Sequence, residues 1–430
     1  MHKGTAAILI YHPNAACDGI EAQTDKNKYA GVKLNLKQLG AAGECFSILW
    51  FCPFDGREYD GGLIKASETA LLVAPWKGMD VVIYLKKNSN VLPDSTNWSG
   101  DLTLPPVLYA VEGKEINIYF DNLISDDISR YNVNVTCAIG IQQNERWTCV
   151  PEASGRYKIG IDFYDDALKI VKNASARIIV SENSANRGVY RKLLFIGDSI
   201  IGIGAYTKEL LALYEKDEMK ISLLGTRGEA ENRHEGYGGK SINWHFSNPE
   251  SPFVFDGCFD FKRYMSVNGY DEVDYVFIHL GANDVFAKTT DHMVDEVIHE
   301  NRWKLETMIE NIKADFKDIK IAILLSIPPS KNQDSFGANY RCGQTRWRYK
   351  RNIHRYVRAL IEIFGERQSE NVFLVPENVS LDTMYNMSIE NVSANSRNTA
   401  KITRQNNGVH PAECGYHQLA DSVYYFLKNL

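Results

Sequence analysis

From residue 190 onward, four short segments carry side chains suited to acyl-transfer chemistry. Ser199 follows Gly197 and Asp198 at the end of an apolar run. That setting puts a hydroxyl on a tight turn leading into a helix, where backbone N–H groups point outward. Such a serine is a nucleophile once a base takes its proton. His410, in Asn407-Gly408-Val409-His410-Pro411, has the chemistry of that base. Gly239, in the loop His234-Glu235-Gly236-Tyr237-Gly238-Gly239, lets a backbone amide approach a developing oxyanion closely. Asn283, in Gly281-Ala282-Asn283-Asp284, offers a side-chain amide to the same charge. Asp198, His234, Glu235 and Asp284 stand beside these groups as supports. Asp198 fits a turn-stabilising acid, and His234 and Glu235 either hold the glycine loop or touch substrate.

Apolar runs at 192–196, 220–224, 273–280, 320–327 and 371–375 alternate with helical patterns at 206–216, 291–316, 346–364 and 412–427. Apolar strands separated by helices predict a parallel sheet covered on both faces, a doubly wound α/β domain over 189–430. Functional groups in such a sheet gather at the carboxyl ends of the strands. Ser199 follows the first strand, the glycine loop the second and Asn283 the third, with His410 just before the last helix. Upstream, alternating runs at 115–120, 132–139, 156–164 and 176–180 predict an immunoglobulin-like β-sandwich over 105–183, joined by a polar linker at 181–188. Residues 1–104 predict a smaller β-rich domain of unknown role, with strands at 46–52, 70–73 and 80–86 and glycine turns such as Asp60-Gly61-Gly62.

The order and placement of the four segments resemble the SGNH (GDSL-type) hydrolases. Their blocks are Gly-Asp-Ser near the start, a glycine in the second block, Gly-x-Asn-Asp in the third and Asp-x-x-His near the end. The resemblance spans about residues 190 to 430 and implies a flavodoxin-like sheet carrying a serine esterase. It makes Ser199 the nucleophile, His410 the base, and the Ser199 N–H, Gly239 and Asn283 the oxyanion donors. It requires no metal or organic cofactor.

The chain departs from the pattern where the triad acid would stand, three residues before the histidine, because that residue is Asn407. The equivalent Asp-to-Asn change in a serine protease lowers kcat by about 10⁴. Three readings stay open. The Asn407 oxygen or a backbone carbonyl orients His410 in a Ser–His dyad; another carboxylate, Asp382, Glu413 or Glu235, approaches in space; or the site is degenerate. The retained serine, histidine and donors favour an active enzyme.

The chain of 430 residues has 48 Lys+Arg against 54 Asp+Glu, a formal charge of -6. That balance argues against a nucleic-acid partner. Hydrophobic residues at 44% and charged residues at 24% are ordinary for a globular chain and argue against long disorder. No run approaches the roughly 18 apolar residues of a membrane helix. Tyr11, His12 and Pro13 cut the N-terminal apolar patch short of a usual signal-peptide core, so export would need another route or a lost leader. An extracellular, cell-surface or virion location is nonetheless expected.

The eight cysteines form no zinc or redox spacing. Cys137 and Cys149 are expected as free thiols, with a disulfide as the alternative. Gly239-Lys240-Ser241 echoes the end of a P-loop, but position 234 is histidine where that motif needs glycine, which rejects nucleotide binding. The cations of 340–358 predict a solvated helix face, and His417 a packing residue. A sandwich ahead of the hydrolase, with Tyr109-Ala110-Val111-Glu112-Gly113 and Asn117-Ile118-Tyr119-Phe120-Asp121-Asn122 on its strands, resembles accessory domains of multidomain bacterial and phage-borne esterases. The loop at 234–239 resembles carbohydrate-esterase branches. The implied substrate is an O-acetylated carbohydrate. The alternatives are a lipase or thioesterase of the same family, or a glycan-binding adhesin with a relic site.

Overall fold

The computed structural model describes residues 2–3, 7–15, 31–35, 45–53, 58–65, 69–73, 79–88 and 102–430. The chain divides into two compact units, 1–95 and 96–430. In the first, an antiparallel sheet runs in the order His2–Lys3, Ala7–Ala15, Met79–Asn88, Cys45–Phe51, Glu58–Lys65. Gly31–Asn35 and Thr69–Val73 form a separate pair. Phe46, Ile48 and Trp50 alternate along one strand with Val81, Ile83 and Leu85 on its neighbour, all buried. This is the period-two signature of a sheet with one covered face. Asp60-Gly61-Gly62 is not a turn. It lies inside Glu58–Lys65, where the register steps from Ile48↔Gly62 to Leu49↔Asp60 and leaves Gly61 as the extra residue of a bulge. Most of the polar stretch at 88–103 lies outside the described residues.

The second unit begins with two small sheets. One runs Asn132–Cys137, Gly155–Tyr164, Ile170–Ser181, Val107–Val111, and the other Ile141–Gln142, Arg146–Cys149, Ile116–Tyr119. Their inner faces bury Ile159, Ile161, Phe163, Ile178, Ile118 and Trp147 in one core. Each large side chain so buried contributes about 1.5–3 kcal/mol. Val107–Val111 is buried on both sides. Leu108 and Ala110 face that core, whereas Val107, Tyr109 and Val111 pack with Phe426 and other residues of the terminal helix. Cys137 and Cys149 are free thiols.

The main sheet follows. Its strands β1 (Tyr190–Gly197), β2 (Lys220–Leu224), β3 (Tyr275–His279), β4 (Lys320–Leu324) and β5 (Val372–Val375) are parallel in the order 2-1-3-4-5. Alternation sends Leu193 and Phe195 to one face and Leu194 and Ile196 to the other. Helices α1 (Ala205–Lys216) and α4 (Glu413–Lys428) cover the first face, and α2 (Asp291–Asp315) and α3 (Arg346–Phe364) the second. Among the described residues, no helix is long and apolar enough to cross a membrane.

Two further sequence readings need correction. Part of the glycine loop is a strand, Asn232–Gly236, lying parallel to the end of β1 through Ile196↔Glu235 and Gly197↔Gly236. The basic stretch is not simply solvated. Arg346 and Lys350 join Lys331 around Asp121, while Arg351 and Arg355 meet Asp291 and Asp295.

Candidate active site

Ser199 is the first residue of a one-turn helix, Ser199–Gly202, directly after β1. Asp198 caps it, its Oδ1 accepting the Ile200 N–H at 2.9 Å. The first N–H groups of a helix have no internal acceptor, so the Ser199 N–H is left for the site. Gly239 sits at φ +73, a left-handed conformation that favours glycine, and a Cβ there would meet nothing within 4 Å. Gly239 lines the same cleft as Ser199. After β3, Gly281 turns the chain at φ +109, and a Cβ would lie 2.1 Å from the Tyr356 ring, so glycine is required. That turn delivers Asn283, whose Nδ2 donates to the Lys240 carbonyl at 3.1 Å and lies 3.5 Å from Asp198 Oδ2. The longer contact is at the outer limit of a hydrogen bond, so that N–H can turn to a stronger acceptor.

His410 reaches the same place from the turn before α4, with Nε2 2.8 Å from Ser199 Oγ. Burial lowers its pKa from the ordinary value, and the Asp198 charge opposes that shift. The imidazole is thereby kept neutral and able to accept a proton. Ser199, Gly239, Asn283 and His410 line one cleft of about 280 Å³, whose far wall is Phe286, Ile327, Tyr340, Tyr349 and Val409.

Asn407 does not face the imidazole. Its Oδ1 accepts the N–H groups of Val409 at 3.0 Å and His410 at 2.9 Å. The proposed substitute acids are engaged elsewhere. Asp382 caps Met384 and Tyr385 and accepts from Tyr119. Glu235, fully buried, accepts from the Thr226 N–H and hydroxyl and from Tyr237 and Tyr264. Glu413 is exposed in the first turn of α4. Among the described residues, no carboxylate pairs with the His410 ring, whose hydrogen-bond partner is Ser199 Oγ.

The supports divide by what they hold. His234 is away from the cleft wall; its Nδ1 accepts the Gly236 N–H at 3.1 Å, and burial pushes its pKa down to about 4. Asp284 accepts the Ile242 N–H at 3.2 Å and so fixes the segment following Gly239. His417 lies 3.5 Å from Glu209 on α1. Sequence reasoning passed over His279 and Glu377, both fully buried beneath Asp198, and the aromatic wall of Phe286, Tyr340 and Tyr349. A histidine ending a wholly apolar strand was the only local signal.

A hydroxyl in contact with an imidazole, in a cleft that Gly239 and Asn283 also line at the carboxyl edge of a 2-1-3-4-5 sheet, fits a serine hydrolase acting on acyl groups. The sequence profile of the GDSL-like lipase/acylhydrolases matches residues 193–423, more than half of the chain, and the protein belongs to that family as a serine esterase. No curated protein matches it. Among solved structures, the chain is similar to a family 3 carbohydrate esterase from Clostridium thermocellum (17% identity, 55% of this chain and 94% of that one, TM-score 0.35). It is similar also to a family 3 carbohydrate esterase from Talaromyces cellulolyticus (16%, 55% and 96%, 0.36). A third likeness is an active-site mutant of a family two carbohydrate esterase from Clostridium thermocellum (11%, 90% and 86%, 0.32).

Proposed function

We propose that the protein removes small acyl groups, acetyl foremost, from a carbohydrate, with Ser199 and His410 working as a dyad. The contact of His410 Nε2 with Ser199 Oγ at the cleft mouth carries this reading. As Ser199 Oγ attacks the ester carbonyl, its proton passes to Nε2. The oxyanion takes hydrogen bonds from the Ser199 and Gly239 N–H groups and the Asn283 amide. Collapse breaks the ester C–O bond, and His410 returns the proton to the leaving sugar oxygen. Water then attacks the acyl-serine by the same route, releasing the carboxylic acid and restoring Ser199.

The acyl cleft is lined by Phe286, Ile327, Tyr340 and Tyr349 beside Ser199, and these bulky side chains support a short acyl group. On the other side of the short helix Asp334–Tyr340 lies an open cleft of about 910 Å³ rimmed by Arg341, Arg404 and Trp347. Trp347 is 64% exposed. An exposed indole supports stacking on a sugar ring. We also propose that the strands of 105–183 are an immunoglobulin-like accessory domain to the hydrolase at 189–430.

The test is acetate release from O-acetylated oligosaccharides by wild type and Ser199→Ala. Release that disappears in the variant supports the proposal. Turnover of long-chain esters without acetate release from any acetylated glycan overturns it.

A further inference from the structure

Beneath the nucleophile lies a row of buried groups that the dyad mechanism leaves unused. Period-two alternation puts His279, the last residue of β3, on the same face as Tyr275 and Phe277, toward α1. Its Nδ1 lies 3.6 Å from Asp198 Oδ1 and its Nε2 3.7 Å from Glu377 Oε2. Glu377, just beyond β5, accepts on Oε1 from the Tyr206 hydroxyl of α1. His279 and Glu377 are 0% exposed and Asp198 is 2% exposed.

A neutral imidazole has a single N–H, so between two carboxylates it would turn a lone pair toward one of them. Burial makes that repulsion costly. Both ring nitrogens and Glu377 Oε2 are buried without a hydrogen-bond partner at these separations, so a proton on Nδ1 toward Asp198 and a second between Nε2 and Glu377 Oε2 would satisfy both ends after a shift of a few tenths of an ångström. Two titration directions agree. Burial pushes the Glu377 pKa up to about 7, and the two carboxylates raise that of His279 although burial alone would lower it. Asp198 in turn holds the Ile200 N–H and faces the Asn283 amide. The charge of Asp198 also bears on His245, Tyr349, Tyr356, His410 and Tyr416. Tyr206, His279 and Asp198 are the groups that act on Glu377.

We propose that His279 and Glu377 are positioning residues: their shared proton keeps the His279 Nδ1–H on Asp198, which holds the nucleophile turn and the oxyanion amide of Asn283 in line. Loss of that proton at alkaline pH frees the remaining imidazole N–H to move to Glu377. Asp198 then faces a lone pair, becomes the stronger acceptor toward the Asn283 N–H and draws that amide away from the oxyanion. The inference rests on the roles given above to Ser199, Asn283 and His410.

Glu377→Gln tests it, because the Gln amide can donate permanently to Nε2 while its oxygen still accepts from Tyr206. Between about pH 6 and about pH 9.5, wild-type kcat should fall on the alkaline side with KM steady, and in Glu377→Gln that fall should disappear. Glu377→Leu, which supplies no donor, should lower kcat roughly tenfold or more at every pH with little change in KM. A Glu377→Gln profile that superimposes on wild type, or a wild type with no alkaline fall, overturns the proposal. Ser199→Ala checks the underlying reading separately: persistence of its activity at every pH would remove the nucleophile and leave the titration result standing.

Discussion

The side-chain oxygen of Asn407 accepts the backbone N–H of His410 at 2.9 Å, so the residue in the acid's place serves the backbone of the base and not its ring. Aspartate offers the same acceptor. Asn407→Asp should therefore stay within about threefold of wild-type kcat, whereas Asn407→Ala should lose roughly tenfold in kcat and about 1–2 kcal/mol of stability. Steady-state kinetics beside denaturant melts check both. An Asn407→Asp variant reduced a thousandfold would contradict the capping role.

The acid limb of kcat/KM should report His410. Burial holds its pKa below the ordinary 6.5, so the neutral base persists as pH falls through 6.5 and is lost only at a lower midpoint. Removing the opposing charge with Asp198→Asn should move that midpoint lower still. A pH profile of free-enzyme kinetics measures it, and a midpoint above 6.5 would contradict the account.

Acyl selectivity should follow the aromatic wall. With Phe286 and Tyr340 closing a cleft of about 280 Å³, kcat/KM should drop at least tenfold between acyl chains of about two and about eight carbons. Tyr340→Ala should narrow that ratio. A p-nitrophenyl ester series shows whether it does.

Asp121 should matter to stability more than to chemistry. Lys331, Arg346 and Lys350 surround it at 3.0, 2.8 and 2.7 Å, and it is mostly buried. Although burial raises its pKa, the three cations outweigh burial and hold it at about 2. Its folded pKa is depressed, so its stabilisation is complete above 3.8 and is lost as pH falls from there through about 2. Asp121→Asn should cost about 3 kcal/mol at neutral pH, mainly by leaving the buried Lys350 without its carboxylate, and the gap to wild type should narrow in acid melts.

The helices of the hydrolase are legible because long amphipathic segments carry a 3.6-residue period. The pattern at 346–364 coincides with Arg346–Phe364, and that at 291–316 differs by one residue from Asp291–Asp315. Strands buried on both faces are equally plain as apolar runs. What sequence hides is pairing at a distance. Asn232–Gly236 looks like a glycine loop because it is polar: Asn232–His234 pair with the equally polar Arg227–Glu229, and Glu235 and Gly236 with Ile196 and Gly197, far back along the chain. The hairpin Ile389–Ser393 with Lys401–Gln405 is polar and carries no alternating apolar signal. At the site, Ser199, Gly239, Asn283 and His410 fall together as their block order implies. His279 and Glu377 do not announce themselves, since only tertiary packing brings a buried imidazole between carboxylates from two other strand ends. Asn407 shows the converse: its position suggested a partner for the ring, whereas its short side chain closes a local turn.

The most direct test is to locate the covalent bond. A fluorophosphonate mimics the tetrahedral state and stays on an activated serine. Peptide mass spectrometry should find its adduct on Ser199, formed much more slowly in His410→Ala and absent in Ser199→Ala. An active enzyme labelled on another residue, or hydrolysing esters with Ser199 unmodified, would contradict the account.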